Sequence, residues 1–274
     1  MQLFIIEGIM EISELYTYPV KSLAGISLET AELERTGIRY DRQWMVVEPD
    51  GTFMTQREFP QMALIETDII DGRLQLATFG MESVTVDEPD IENNERVQTD
   101  VWGTGISAIR CEGPANEWLS DALGTACGLV TFPRDEPRQC NPEHANQGDS
   151  TFFADGYPVL VVSQESLDDL NGRLSEPVGM DRFRPNLVIR GTTSFAEDTW
   201  KNIEINNVGI RMAKPCDRCS VPTVDPQRGM LAGPEPIATL STYRERDGMV
   251  YFGMNAIPEY SGTVSVGDMV RVLN

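Results

Sequence analysis

Residues 10–22 read Met10-Glu-Ile-Ser-Glu-Leu-Tyr-Thr-Tyr18-Pro-Val-Lys21-Ser22, and Met10, Ile12, Tyr16, Tyr18 and Val20 recur at even positions. A period of two puts them on one face of an extended segment, so this stretch is a strand. The same grammar continues outward. Residues 43–48 form a predicted strand closed by Pro49-Asp50-Gly51 and followed by residues 53–56, while Asp71-Gly72 joins 65–70 to 74–78 as a hairpin and 82–86 add a further strand. Near residue 113 the period changes. Pro114 suits a first helical turn, Ala115, Trp118, Leu119, Ala122 and Leu123 follow helical spacing, and Gly124 supplies the stop.

Residues 133–150 hold little apolar material and read as a long loop, a candidate lid or junction. Residues 157–162 form a buried type of strand, Ser163 caps a helix carrying Leu167, Leu170 and Leu174, and 187–190 return to strand. Asn206-Asn207 joins 203–205 to 208–212, and Gly267-Asp268 marks a second hairpin over 263–273. This is an α+β, mainly β design and not a βαβ repeat.

The 274 residues carry 22 Lys and Arg against 43 Asp and Glu, a net charge of −21. With so few cations for phosphates, a nucleic-acid partner is excluded as an expectation, and no apolar run is long enough for a membrane helix. Apolar residues at 41% and aromatics at 8% suffice for a folded core. The patch Leu3 to Ile6 is cut short by Glu7 without a basic start, so no secretion signal is read and a cytoplasmic location is expected. Five cysteines, an odd number, do not suggest a disulfide framework, and a single histidine, His144, leaves little room for a His-based triad or cage.

The densest unusual stretch is Lys214-Pro-Cys216-Asp-Arg-Cys219-Ser-Val-Pro-Thr-Val-Asp225-Pro, directly after a predicted strand. Lys214 or Arg218 would lower a thiol pKa toward the metal-binding or nucleophilic thiolate. A zinc half-site would need ligands that the scattered Cys111, Cys127 and Cys140 do not supply; a thioredoxin-like dithiol is opposed by Pro222 and Pro226; a soft-metal thiolate or persulfide carrier needs only one Cys. Taken alone, the pair is better explained as two small buried side chains in a loop. Tyr18-Pro-Val-Lys21-Ser22 ends a strand with donors for an anionic oxygen, Arg39-Tyr-Asp41-Arg42-Gln-Trp44 reads as a surface ion pair, and Phe183-Arg184-Pro-Asn186 sets a guanidinium and an amide before a strand.

Taken in order, these segments, together with Ala196-Glu-Asp-Thr-Trp200, Thr223-Val-Asp-Pro226, Phe252-Gly-Met-Asn255 and Val266-Gly-Asp268, resemble the family in which an N-terminal MOSC β-barrel domain precedes a MOSC domain, the family of the amidoxime-reducing components. The resemblance runs from about Glu11 to the end of the sequence. It implies a β-barrel-like domain over 1–125 and a MOSC β-barrel domain with helical insertions over 126–274. It further implies a molybdenum cofactor (Mo-molybdopterin) between them, with Cys219 as the metal's protein ligand. Lys21, Ser22 and Arg42 match the N-terminal residues that hold the cofactor; Asp155, Gly156, Tyr157, Arg184, Asn186, Asp217, Arg218 and Asn255 match those of the second domain. The implied activity is reduction of small N-hydroxylated substrates, with electrons from a separate redox partner protein because no four-cysteine cluster remains for iron–sulfur. The alternative from another class is a sulfur carrier in which a Cys219 persulfide serves metal-cofactor sulfuration. A third is a non-catalytic cofactor store.

Overall fold

The computed structural model describes residues 9–87, 89–134 and 136–273; the patch Leu3 to Ile6 lies outside them. Six short strands open the chain: β1 (Glu11–Thr17), β2 (Val20–Lys21), β3 (Ile26–Leu28), β4 (Thr30–Glu34), β5 (Gly37–Ile38) and β6 (Trp44–Val47). Among the described residues three α-helices follow, α1 (Ala115–Leu123), α2 (Gln164–Asn171) and α3 (Ile237–Arg244).

Two sheets carry the architecture. The larger, nine-stranded, runs Val270–Leu273, Asn202–Ile205, Val208–Asp217, Met249–Pro258, Val159–Ser163, Leu187–Arg190, β1 and β3, with Glu245–Arg246 paired to the side. The five-stranded sheet runs Arg96–Val101, Thr104–Arg110, Gly128–Thr131, β6 and β2. Strands from distant parts of the sequence meet in each: β1 pairs with Leu187–Arg190, and β6 with Gly128–Thr131. The chain passes from one sheet to the other at Tyr18-Pro19, where proline withholds an N–H from the ladder, and this delivers Lys21 to the junction.

The fold is mainly β, but among the described residues no sheet closes into a barrel. The ends of the large sheet approach where Glu11 bridges Met269 and the Ile12 N–H donates to the Asp268 carbonyl. This isolated bridge does not extend into a ladder, because from Leu15 onward β1 pairs with β3 instead. The period-two reading of β1 also needs correction. Its register shifts between Ile12 and Glu14, a bulge that moves Leu15 and Thr17 onto the buried face. The expected 263–273 hairpin is likewise two strands in different sheets, Gly262–Ser265 beside β4 and Val270–Leu273 beside Asn202–Ile205.

Other local signals are realised. α1 has Pro114 at its N-cap and Gly124 at φ 67° at its C-cap, and it buries Ala115, Leu119 and Leu123 against Val46, Leu74 and Leu129. Asp71 and Gly72 both take left-handed backbone between Glu66–Ile70 and Arg73–Ala77, as a two-residue hairpin turn requires. The large sheet packs Ile12, Leu15, Val161, Leu187, Ile189, Ile203 and Ile210 into one core.

Glu197 is fully buried beside α2. Its carboxylate accepts from the Ser163 N–H at 3.2 Å, Ser163 Oγ at 2.7 Å and Ser166 Oγ at 2.8 Å. Burial pushes its carboxyl up from 4.5, with the Ser163 and Ser166 hydrogen bonds opposing. An acid with a raised folded-state pKa binds its proton more tightly when folded, so its contribution falls as pH rises above the unfolded value. Glu197→Gln should therefore gain on the wild type in melting temperature as pH rises from about 4 to 7. Paired thermal melts across that range check it, and a constant difference would refute the linkage.

Candidate functional site

Lys21 is buried, and its ammonium donates to the Phe153 carbonyl at 3.0 Å and to Asp155 Oδ1 at 2.5 Å. Burial pushes the Lys21 pKa down, against the pull of Asp155. Burial acts against the Asp155 carboxylate too, but the Lys21 charge and hydrogen bond, aided by Trp102 Nε1 at 2.9 Å, hold its carboxyl well below the ordinary range. Because the Asp155 side chain is 67% exposed, pairing rather than burial sets that direction. Arg138 borders this pair, donating to the carbonyls of Phe152, Ala154 and Asp155.

The second group centres on Asp41. Rather than lying in a surface ion pair, as the sequence reading has it, Asp41 is 4% exposed. Arg42 Nη1 donates to both its oxygens at 2.7 Å, and the Tyr18 N–H and Asn186 Nδ2 each donate to Oδ1 at 2.9 Å. Asn186 also donates to the Tyr16 carbonyl at 3.2 Å, while its Oδ1 accepts from the Leu160 N–H at 3.1 Å. The amide is thus engaged by the protein on both sides, which makes it a positioning group for Asp41 and Arg42. Arg184 Nη1 donates to the Leu23 carbonyl at 2.7 Å, and Arg42 Nη2 donates to the Arg184 carbonyl at 3.2 Å.

Tyr18 lies against both guanidiniums, each 4.2 Å from its ring centroid. Its ring also covers Gly25, where a Cβ would stand 2.4 Å from Tyr18 Cε1. Burial, reinforced by the Arg42 charge, brings Arg184 down to about 10. Arg184 Nη2 is buried with no partner among the described residues. Ser22, Arg42 and Arg184 all have left-handed backbone, at φ 69°, 47° and 55°. Such backbone costs roughly 1–3 kcal/mol per residue, and it recurs where ligands are clamped.

The Cys216-Asp-Arg-Cys219 segment joins this assembly through Arg218. The Val208–Asp217 strand carries Cys216, and just beyond it the Arg218 N–H donates to the Val250 carbonyl at 2.8 Å. Arg218 Nη2 donates to the Phe183 carbonyl at 2.8 Å, beside Arg184, and Nη1 donates to Cys216 Sγ at 3.2 Å. Burial pushes the Cys216 thiol up, with Arg218 opposing. Cys219 is exposed, and Asp217 is taken by Lys214 at 2.7 Å. Asn255 stands on Met249–Pro258 between Lys214 and Leu160. Gly156 faces open space, and the buried Tyr157 hydroxyl has no partner among the described residues.

Phe153 joins the two groups, its carbonyl accepting from Lys21 and its N–H donating to the Arg42 carbonyl, so Lys21, Asp155, Arg42, Arg184 and Asn186 form one junction. Arg218 reaches it through the Phe183 carbonyl, and Cys219 follows Arg218 in the chain with its side chain exposed. Sequence reasoning missed Arg138, inside a loop without periodicity, and Trp102, at a hairpin tip. Among the described residues no three His, Cys, Asp or Glu side chains gather as a metal site, so the zinc reading lacks its further ligands. A separate cleft of about 770 Å³, lined by Glu32, Arg35, Arg134 and Thr263 among others, shares none of the junction residues.

Residues 9–126 match the MOSC N-terminal beta barrel domain and residues 148–271 the MOSC domain. Mitochondrial amidoxime reducing component 2 of Bos taurus is 34% identical over 275 residues, covering 94% of this chain and 82% of that protein. Mitochondrial amidoxime-reducing component 1 of Homo sapiens is 31% identical, covering 98% and 85%. The chain belongs to this family of two-domain MOSC proteins. The molybdenum cofactor sulfurase of Oryza sativa subsp. japonica is 32% identical over 268 residues, covering 89% of this chain but 32% of that protein. Among the described residues no helix is long and apolar enough to cross a membrane.

Proposed function

We propose that this protein is a molybdenum-cofactor-dependent reductase of small N-hydroxylated compounds, taking electrons from a separate donor protein. The observation that carries the reading is that Lys21 and Arg42 meet at Phe153, whose carbonyl accepts from Lys21 and whose N–H donates to the Arg42 carbonyl, while Arg42 also reaches Arg184, whose Nη2 is buried without a partner among the described residues. Lys21 and Arg42 are each paired with a carboxylate, Asp155 and Asp41, but Arg184 has no carboxylate partner among the described residues. A buried guanidinium with an unsatisfied donor is costly unless an anionic ligand completes it. The family relationship supports a pterin phosphate as that anion.

In this reading Lys21, Ser22, Arg42, Arg138 and Arg184 hold the phosphate and pterin, and Arg218 and the Tyr157 hydroxyl offer further donors. Asn186 and Asp41 fix the direction of Arg42. Gly156, Asp217 and Asn255 border the ring system. Cys219, an exposed thiol, supplies the single soft ligand that molybdenum accepts. The bound cofactor would supply two-electron redox chemistry. Overall, the N–O bond of an amidoxime breaks, two electrons and two protons are consumed, and amidine and water leave. The chain's part is to hold the substrate beside Cys219 and to keep the anionic cofactor paired with guanidinium and ammonium groups.

Arg184→Gln tests the anion cradle. Losing a charge-assisted hydrogen bond of about 1.5–3 kcal/mol should weaken cofactor retention on the order of 10- to 100-fold, measured as molybdenum remaining after dialysis of correctly folded protein. Unchanged retention would remove Arg184 from the site. The exposure of Cys219 also favours a second reading, a persulfide sulfur carrier. Metal-free active protein bearing labile sulfane sulfur on Cys219 would establish that reading instead.

A further inference from the structure

Trp102 occupies a turn position that rarely takes a bulky residue. It sits between Arg96–Val101 and Thr104–Arg110 at the tip of their hairpin, with φ 53° followed by Gly103 at 79°. Two-residue turns of this handedness favour Asn or Gly at the first position, because a bulky side chain strains left-handed backbone. The indole is nonetheless there, and it is 52% exposed. A strained turn that also presents a large aromatic ring to solvent points to a task beyond folding.

Its surroundings give that task a chemistry. The indole N–H donates to Asp155 Oδ1, the atom that also accepts from Lys21. The Arg57 guanidinium lies 4.6 Å from the ring, and Phe53 meets it edge-on with centroids 5.9 Å apart. Phe53 in turn carries Lys21 Nζ at 5.7 Å. The ring is thus fixed on several sides while half its surface stays open. It borders the same junction as Lys21, because both donate to one carboxylate oxygen of Asp155.

We propose that Trp102, braced by Arg57 and Phe53, is the aromatic wall that receives the planar part of the substrate, making it a specificity-determining residue for aryl over alkyl N-hydroxylated compounds. Offset stacking of a conjugated ring on an indole contributes about 0.5–1.5 kcal/mol beyond the area it covers, whereas a methyl group has no π-face to offer. The proposal rests on the reductase reading, and its test separates the two.

Benzamidoxime and acetamidoxime are compared on the cofactor-loaded wild type, Trp102→Ala and Trp102→Phe, by kcat/KM and, independently of turnover, by equilibrium binding in titration calorimetry. Trp102→Ala should cut the aryl-to-alkyl ratio in both readouts by about 10-fold, adding lost ring contact area to the stacking. Trp102→Phe, which keeps a π-face and loses the N–H, should retain most of it. A ratio unchanged in Trp102→Ala would overturn the proposal, as would wild type that binds both compounds equally. Loss of molybdenum from Trp102→Ala with an unchanged ratio would assign the ring to the cofactor instead. Wild type that prefers the aryl compound in binding yet reduces neither would sink the reductase reading and leave the wall standing.

Discussion

Cys219→Ser is expected to lose its molybdenum and, with it, reduction of amidoximes, while Cys216→Ser keeps both to a large extent. The two thiols differ in what surrounds them. Cys219 is exposed beyond the strand end, and the described residues gather no alternative set of ligands for a metal. Cys216 is half-buried, accepts a hydrogen bond from Arg218, and has its thiol pushed up by burial, which disfavours the thiolate a metal requires. Residues that merely orient a metal ligand are worth 10- to 100-fold, so losing the ligand itself should cost activity at least about 100-fold. Metal analysis of protein made in a molybdenum-competent host, paired with turnover using an added electron donor, checks both variants. Full metal content in Cys219→Ser would place the ligand elsewhere.

Asp41→Ala should produce the largest loss of stability among the site variants. The carboxylate is almost wholly buried and takes four donor contacts, two from Arg42 and one each from Tyr18 and Asn186. Removing it leaves the Arg42 guanidinium without its counter-charge next to Arg184. Breaking a buried pair on one side typically costs about 3–5 kcal/mol. For a protein of this size that is a fall in melting temperature on the order of 10 °C. Thermal and urea unfolding measure it directly. A loss below about 1 kcal/mol would mean that water or rearranged side chains replace the carboxylate, as at an exposed pair.

Asp41 also shows where sequence reading stops. Its neighbours Arg39 and Arg42 suggest an ion pair, but whether the pair lies in water or beneath two sheets depends on strands up to 145 residues away, through Asn186. Signals confined to a few residues are legible: Pro114 and Gly124 bracket α1, and Asp71-Gly72 gives the turn. The bulge in β1 is not, because Ser13 and Glu14 carry no mark of a register shift. Nor does Met249–Pro258 reveal itself as a central strand. It pairs with neighbours on both edges and is mostly buried, which removes the alternation that would have exposed its period. The candidate ligands were found as motifs in order along the chain. Their left-handed backbones at Ser22, Arg42 and Arg184, which give those side chains their directions, were invisible because each is a residue type that normally avoids such geometry.

The pairing of β1 with Leu187–Arg190 has a consequence for how the protein is made. Translation proceeds at about 5–20 residues per second, so a strand that ends at Thr17 waits roughly 10–30 s for a partner that begins at Leu187. The partner of β6, Gly128–Thr131, emerges much sooner. The smaller sheet can therefore assemble on the ribosome while Glu11–Thr17 has only the three-residue β3 beside it and its other edge stays open. For that interval the nascent chain exposes Ile12 and Leu15, and this is when a holdase would have most to protect.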